Sequence, residues 1–219
     1  MTDDYEFRDV PMAPVLPGTA LLVSGPSHAG TREVAYSMLA GDENEGTVVV
    51  TTNQRAARVA RNCVAAGVRL SRERSAIVSC IGQDDRDDDI DARLVKVTGP
   101  GDLTGIGMRY SKLVEDLHRD GVDRARTGIV SVSTLLSFND MQTVSRFVHT
   151  FVGRIGSIDG LGVLLIDPDA VDERVLSNVA QFCDARVDVR DGGVNDAPEM
   201  RVRGLPGQSR DWAEVELYG

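Results

Sequence analysis

The chain has 219 residues, and its 34 acidic and 24 basic residues give a net charge of −10 at pH 7. This length suits one substantial hydrophobic core, so we expect a single domain over residues 1–219. No apolar run approaches the roughly 20 residues that a membrane-spanning helix needs, which argues against insertion into a membrane.

The composition also bears on where the protein works. Asp greatly outnumbers Glu, the acidic residues are spread along the chain, and Lys96 and Lys112 are the only lysines. This bias is typical of proteins that stay soluble in a cytoplasm of high salt, so the charge says little about partners. The acidic start, MTDDYEFRD, lacks the basic and apolar parts of a signal peptide. We therefore expect a cytoplasmic protein.

The cysteines indicate neither a disulfide framework nor a zinc site. Cys63, Cys80 and Cys183 are odd in number, lie far apart and form no CxxC pair. We expect buried, reduced thiols.

Short apolar, β-branched runs alternate with helical stretches along most of the chain. The runs predict strands at 19–25, 46–52, 75–82, 127–134, 162–167 and 185–191. The stretches between them predict helices at about 31–40, 54–66, 106–120, 140–155 and 172–183. This alternation predicts an α/β fold with a parallel sheet covered by helices on both faces and right-handed crossovers.

The end of the chain changes character. EMRVRGL (199–205) and AEVELYG (213–219) are short strand-like runs separated by turn-rich stretches, which favours antiparallel hairpins after the strand at 185–191. The acidic stretch QDDRDDDIDARL (83–94) lacks the central Gly and closing Glu of a calcium loop, so we interpret it as a solvated loop.

The stretch VSGPSHAGTREVAYSML (23–39) begins like a phosphate-binding loop. In such a loop the backbone wraps the phosphates, a Lys reaches the β and γ phosphates, and a hydroxyl binds magnesium. Gly25 and Gly30 keep the backbone part of this pattern, but Thr31 and Arg32 stand where the Lys and the hydroxyl belong. Taken alone, this spacing is more often an ordinary turn between a strand and a helix. The candidate anion ligands are Gly25, Ser27, His28, Gly30, Thr31 and Arg32, with a surface histidine as the alternative for His28.

The later sequence adds context to this loop. RTGIVSVSTLL (126–136), the helical stretch after it, GLGVLLIDPD (160–169) and the run ending in RVDVR (186–190) resemble, in order and spacing, the second half of archaeal RecA/KaiC-like ATPase domains. MRVRGLPG (200–207) looks like the closing Arg-x-Arg-Gly strand of that family. With the opening loop, the resemblance covers almost the whole chain. It implies a three-layer RecA-like P-loop fold with antiparallel strands at the end.

The same resemblance exposes lost catalytic residues. When STLL is the anchor, Val130 falls where the family's magnesium-holding Asp belongs. Asn53 and Gln54 stand where the family usually places a catalytic Glu. The rival register is VLLID, in which Asp167 would hold the metal; the alternative for Asp167 is capping of a turn.

Two groups of arginines are candidate partner-binding residues. Arg55, Arg58 and Arg61 recur every three residues along a predicted helix, a stripe suited to an acidic partner or to nucleic-acid phosphates. Arg201 and Arg203 share one face of a strand, and the resemblance implies a contact with a neighbouring subunit's nucleotide. For both groups the alternative is pairing with the protein's own carboxylates.

The Gly-x-Gly of PGDLTGIGMRYSKLVEDL (100–117) is better explained by a helix start than by a ligand loop. Asp102 or Thr104 would cap an amphipathic helix whose Met108, Leu113 and Leu117 face inward.

These patterns favour a catalytically inactive RecA/KaiC-like protein that binds a protein partner or copies of itself as a regulator or scaffold. It would need no cofactor. The alternatives are a divergent ATPase that binds ATP and magnesium through Arg32 and Asp167, and a nucleic-acid-binding module of recombinase ancestry.

Overall fold

The computed structural model describes residues 4–82, 90–192 and 197–217, and this part of the chain contains a nine-stranded sheet with helices on both faces. The strands are Ala20–Ser24 (β1), Glu45–Thr51 (β2), Ser75–Ser79 (β3), Arg93–Lys96 (β4), Arg124–Val130 (β5), Leu161–Ile166 (β6), Ala185–Arg190 (β7), Glu199–Arg203 (β8) and Ala213–Glu214 (β9). Their order across the sheet is β4-β3-β2-β5-β6-β1-β7-β8-β9. Strands β1 to β7 pair in parallel, and β8 and β9 add antiparallel pairs. The predicted α/β class, the parallel core and the antiparallel end are confirmed.

Six helices flank this sheet in the described ranges. They are Thr31–Met38 (α1), Ala56–Ala65 (α2), Leu103–Arg119 (α3), Val132–Phe138 (α4), Met141–Gly156 (α5) and Glu173–Ala180 (α6), with a 3-10 turn at Pro168–Ala170. Helices α1 and α2 pack on one face of the sheet, and α3 to α6 pack on the other. Successive residues of β1 serve both faces, because Leu21 and Val23 belong to the first core and Leu22 to the second.

One predicted strand is wrong in its second half. The sequence favoured a strand over 127–134, but β5 ends at Val130 and helix α4 begins at Val132. Strand β4 was missed, and it starts inside the stretch interpreted as a solvated loop; residues 83–89 of that stretch lie outside the described residues. The last predicted strand shortens to Ala213–Glu214.

A buried ion pair fixes the sheet near the amino ends of its strands. Arg126 on β5 is 1% exposed, and its Nε lies 2.6 Å from Oε2 of Glu45 on β2. Its two terminal nitrogens donate to the carbonyl oxygens of Met38 at 3.0 Å and Glu6 at 2.7 Å. Each of the three guanidinium nitrogens of Arg126 therefore has a charged or backbone partner at a position where the side chain is almost inaccessible to water.

The described part of the chain contains no helix that is both long and apolar enough to cross a membrane.

Candidate functional site

The sequence-predicted loop lies at the carboxyl ends of the parallel strands. Ser24, the last residue of β1, is in register with Ile166 of β6, and Thr51 of β2 is in register with Val130 of β5. A cavity of about 160 Å³ opens beside these strand ends. Its lining includes Gly25, Ser27, Thr31, Arg32, Asn53, Ser131, Ser133 and Asp167. Side chains from four separate segments of the sequence therefore meet at one place.

The local structure explains why residues 25 and 30 of the loop are both glycine. A Cβ on Gly25 would lie 2.5 Å from the carbonyl oxygen of Val189 and 2.6 Å from Oγ1 of Thr31, so a larger residue does not fit. Gly30 adopts a φ of 71° immediately before α1, a left-handed conformation that disfavours other residues. The backbone path of the loop is thus specified by sequence.

Thr31 serves the loop itself. Its side chain is buried, with 1% of the residue exposed, and its hydroxyl donates to the carbonyl oxygen of Pro26 at 2.7 Å. This bond closes the turn from Pro26 to the first residue of α1. The position that would carry a phosphate-binding Lys therefore holds a short side chain whose one donor is already in use.

Arg32 is the cation of the cavity. Its Nε is buried without a hydrogen-bond partner, and the described residues provide it with no ion pair. A guanidinium stays charged at any pH the protein meets. A buried, unpaired donor on a charged group is costly unless an anion or water completes it. Arg32 therefore places a positive charge with an unpartnered Nε donor beside the cavity.

Asp167 joins the loop to the end of β6. Its Oδ2 accepts a hydrogen bond from the Ser27 hydroxyl at 2.6 Å, and its Oδ1 accepts one from the backbone N–H of Asp169 at 3.0 Å. Its own N–H donates to Oγ of Ser133 at 2.8 Å. Asp167 therefore caps the turn at Pro168–Ala170 with one carboxylate oxygen and holds Ser27 with the other, in agreement with the turn-capping alternative.

Among the residues that the structure describes, the remaining strand ends bring no second carboxylate to the cavity. Val130 is 2% exposed and packs in the hydrophobic core below it. Asn53 lines the cavity, whereas Gln54 is buried and accepts hydrogen bonds from Tyr36 and Asn62, both at 3.4 Å. Within the described ranges, no group of three or more His, Cys, Asp or Glu side chains is placed to hold a metal.

His28 does not line the cavity with the other loop residues. Its Nε2 lies 3.3 Å from Oδ2 of Asp191, and both side chains are mostly exposed. This arrangement matches the alternative interpretation of a surface histidine.

The first arginine group lies apart from the cavity. Arg55 precedes α2, and Arg58 and Arg61 project from that helix into solvent. In the part of the chain that is described, neither Arg58 nor Arg61 forms an ion pair. The stripe is therefore a separate exposed surface, and no aromatic ring is seen stacked on it in the described residues.

The second arginine group is paired internally. Nε of Arg201 lies 3.1 Å from Asp188 Oδ2, and a terminal nitrogen of Arg203 lies 2.7 Å from the same oxygen. Nε of Arg186 lies 2.7 Å from Oδ1 of Asp188. Asp188 is buried, with 6% of its surface exposed. Asp188 directly faces Arg201 across the β7–β8 pair. The alternative of pairing with the protein's own carboxylates therefore accounts for Arg201 and Arg203.

Sequence reasoning missed the hydroxyl groups of the cavity. Ser131 and Ser133 follow β5, and Ser131 exchanges hydrogen bonds with Thr52: its N–H donates to Thr52 Oγ1 at 2.6 Å, and its carbonyl accepts from that hydroxyl at 2.8 Å. The repeated serines of SVSTLLS were the available signal. They were obscured because the stretch was interpreted as continuing the strand.

These features define an α/β protein with a strand-to-helix loop and one small polar cavity at the carboxyl edge of its parallel sheet. The chain belongs to a family of unknown function, DUF7504, whose model matches residues 18–189. That match begins just before β1 and ends within β7, so it includes the loop and every residue of the cavity. A comparison with curated proteins gave no match.

Proposed function

We propose that this protein is a RecA/KaiC-like domain that does not hydrolyse nucleotides and acts by binding a protein partner or a second copy of itself. One observation carries the proposal. Where a hydrolytic loop would present a Lys to the phosphates, Thr31 is buried and its hydroxyl is bonded to Pro26. The loop has Gly25 and Gly30 at the spacing of that pattern, but the Thr31 side chain stabilises the turn.

The architecture supports the RecA-like part of this proposal. The candidate loop connects a strand inside a parallel sheet to a helix on one face, as in the P-loop pattern. The sheet closes with the antiparallel strands β8 and β9, an arrangement common in P-loop proteins of the RecA type.

The chemistry of the strand ends supports the non-hydrolytic part. Phosphoryl transfer depends almost wholly on positioning and on neutralising charge around the phosphates and magnesium. Val130 and Asn53 provide neither a metal ligand of carboxylate type nor a general base. Losing the Lys, the metal ligand and the base together removes most of what hydrolysis requires.

Anion binding is a property that the cavity retains. Arg32 offers an unpaired cationic donor, and the start of α1 adds a favourable dipole for negative charge. The volume of about 160 Å³ is below the roughly 300–1,000 Å³ of most small-molecule pockets. A group the size of inorganic phosphate suits this space better than a whole nucleotide.

A divergent ATPase is the alternative, and one observation favours it. Asp167 and Arg32 line the same cavity, so a carboxylate and a cation stand together beside the loop. Against it, Asp167 is the only carboxylate in the described lining of the cavity, and its two oxygens already accept hydrogen bonds from Ser27 and from the N–H of Asp169. A metal ion there would share those oxygens with the two donors and would find no second carboxylate among the described residues.

Titration of the purified protein with magnesium-ATP and with inorganic phosphate, in molar potassium chloride, tests the proposal. We expect weak phosphate binding that magnesium does not enhance and no ATP turnover. Tight, magnesium-dependent ATP binding accompanied by turnover would overturn the proposal in favour of the ATPase.

A further inference from the structure

A second cavity lies between helices α3 and α5. It has a volume of about 400 Å³ and opens along the outer surface of the two helices. Phe151 forms its floor with Tyr110 and Phe147, whose ring centroids lie 4.3 and 5.4 Å from that of Phe151. We call this cavity the α3–α5 groove. Its size and its apolar floor are those of a binding groove.

Met108 adds an exposed apolar side chain to the lining of the groove. The helix was expected to turn Met108 inward, but its side chain is 69% exposed, whereas Leu113 and Leu117 are buried as expected. Met108 lies off the buried stripe of α3 and lines the groove instead. Phe138, 63% exposed, borders Gly101 just before the same helix. Flexible, exposed Met side chains are typical of surfaces that bind apolar segments of other proteins.

Helix α3 contains two glycines, and a contact explains only the first of them. Gly105 belongs to the helix cap, since Asp102 accepts a hydrogen bond from its N–H at 2.8 Å and a Cβ there would lie 2.1 Å from Oδ2 of Asp102. Gly107 lines the groove, and a Cβ there would meet no atom within 4 Å. A glycine inside a helix lowers stability relative to alanine. No contact among the described residues requires Gly107, and its lack of a side chain leaves the α3 backbone open toward the groove.

The charged residues that line the groove are basic, although the protein as a whole is acidic. In a chain of net charge −10, the groove is lined by Arg146 and Arg154 and by no carboxylate among the described residues. Glu115 lies 3.6 Å from Arg154 at one end of the groove, but Arg146 has no ion-pair partner in the described ranges. The groove therefore presents an unpaired cation beside an apolar floor.

We propose that the α3–α5 groove binds an acidic amphipathic helix of a protein partner. This inference deepens the proposed function, because it assigns the surface and the chemistry of the partner on which that function depends. The apolar stripe of the helix would contact Met108 and Phe147, and its backbone would approach α3 at Gly107. Carboxylates beside that stripe would pair with Arg146. Helix-in-groove binding of this kind needs an apolar stripe with matched charges at its border, and the groove has both features.

A synthetic peptide provides the direct test. The probe is a fluorescent peptide of about 14 residues, about 21 Å long as a helix, with Leu along one face and Glu elsewhere. One control replaces every Glu by Lys, and a second scrambles the sequence to destroy the apolar face. Anisotropy titrations on the full chain, without nucleotide, should show binding of the acidic helix that is at least about fivefold tighter than binding of either control.

Single substitutions then locate the site. Met108→Ser should weaken the acidic peptide about tenfold. Arg146→Glu should weaken it about fivefold and improve binding of the Lys peptide. Gly107→Ala should raise Tm by about 2 °C and weaken the peptide, whereas Gly153→Ala on α5, a helical glycine that is equally open but outside the groove lining, should raise Tm alone.

The outcomes are distinct. Equal binding of the acidic and scrambled peptides, preference for the Lys peptide, or identical binding by the Gly107→Ala and Gly153→Ala variants would overturn the groove assignment. ATP turnover, measured separately, would overturn the proposed function without affecting the groove result.

Discussion

Ser27 donates a hydrogen bond of 2.6 Å to Asp167, and this contact fastens the loop after β1 to the turn after β6. In the described lining of the cavity, Asp167 is the only carboxylate, so the bond uses the group on which a metal site there would depend. A side chain from a distant strand end therefore helps to hold the loop in place.

Replacing Asp167 by Asn should destabilise the protein. The amide keeps the shape but has a single oxygen to accept from Ser27 and Asp169, so we expect a loss of about 1–2 kcal/mol in the free energy of unfolding. Urea denaturation measures this loss. Asp169→Asn, at an exposed neighbour, should stay within about 0.5 kcal/mol of the wild type. Equal stability of the Asp167→Asn variant and the wild type would show that the capping contacts contribute nothing.

Arg32 should determine anion binding, whereas Thr31 should determine only stability. Arg32→Gln keeps the length of the side chain but removes its charge, so phosphate affinity should fall at least about fivefold. Thr31→Val should cost about 1 kcal/mol of unfolding free energy, because the Pro26 bond is lost, and should leave phosphate affinity unchanged. Calorimetric titration with inorganic phosphate separates the two effects. A similar loss of phosphate binding in both variants would mean that the Thr31 hydroxyl is itself a ligand.

The buried Arg126–Glu45 pair should contribute strongly to stability. Glu45→Gln leaves the guanidinium of Arg126, 1% exposed, without its counter-charge, and we expect a loss of about 3–5 kcal/mol. The matched surface control is Lys112→Gln, which breaks the exposed 2.9 Å pair with Asp116 and should change stability little. Chemical denaturation compares the two. A loss of similar size in both variants would contradict the account of the buried pair.

The three thiols should react slowly in the folded protein. Burial raises the pKa of each thiol, that of Cys63, Cys80 and Cys183, to about 12. The negative charge of Asp102 adds a smaller increase to the pKa of Cys80, and that of Asp184 adds one to the pKa of Cys183. The reactive thiolate is therefore scarce near pH 8, and alkylation followed by mass spectrometry should label these residues only after unfolding. Rapid labelling of the native protein at that pH would contradict this expectation.

The same pKa shifts predict how stability depends on pH. A raised pKa in the folded state means that the folded protein keeps its thiol protons while the unfolded chain loses them. The contribution is fully present below the unfolded pKa of about 8.5 and is lost as pH rises toward 12. Replacing Cys63 by Ala should make the decline in stability above pH 9 shallower. If stability declines equally steeply with pH in the Cys63→Ala variant and the wild type, Cys63 does not contribute to this pH dependence.

The sequence predicted the parallel core because periodicity and β-branched runs report directly on buried strands. It failed after Val130, where Ser131 leaves the strand and α4 begins, since SVSTLL alternates polar and apolar residues as a strand does. It also failed for Met108, because an apolar side chain inside an amphipathic helix is ordinarily buried. The exposure of that side chain depends on how α3 and α5 pack, and this packing is a tertiary property.

The candidate site was predicted in part. Gly25, Ser27, Thr31 and Arg32 of the predicted loop set line one cavity with Asp167, whereas His28 and Gly30 are not part of that lining. The roles of Arg201 and Arg203 were not accessible from spacing, because their partner Asp188 lies on another strand and faces Arg201 only through the β7–β8 register. Pairings between distant segments depend on register, which local patterns do not specify.

ATP turnover by the purified protein tests the central claim most directly. The wild type and an Asp167→Ala variant, both checked for folding by circular dichroism, are incubated with magnesium-ATP in molar potassium chloride, and released phosphate is followed over time. We predict that both proteins release phosphate at the same background rate. Turnover by the wild type that disappears in the folded Asp167→Ala variant would contradict the account and identify an enzyme.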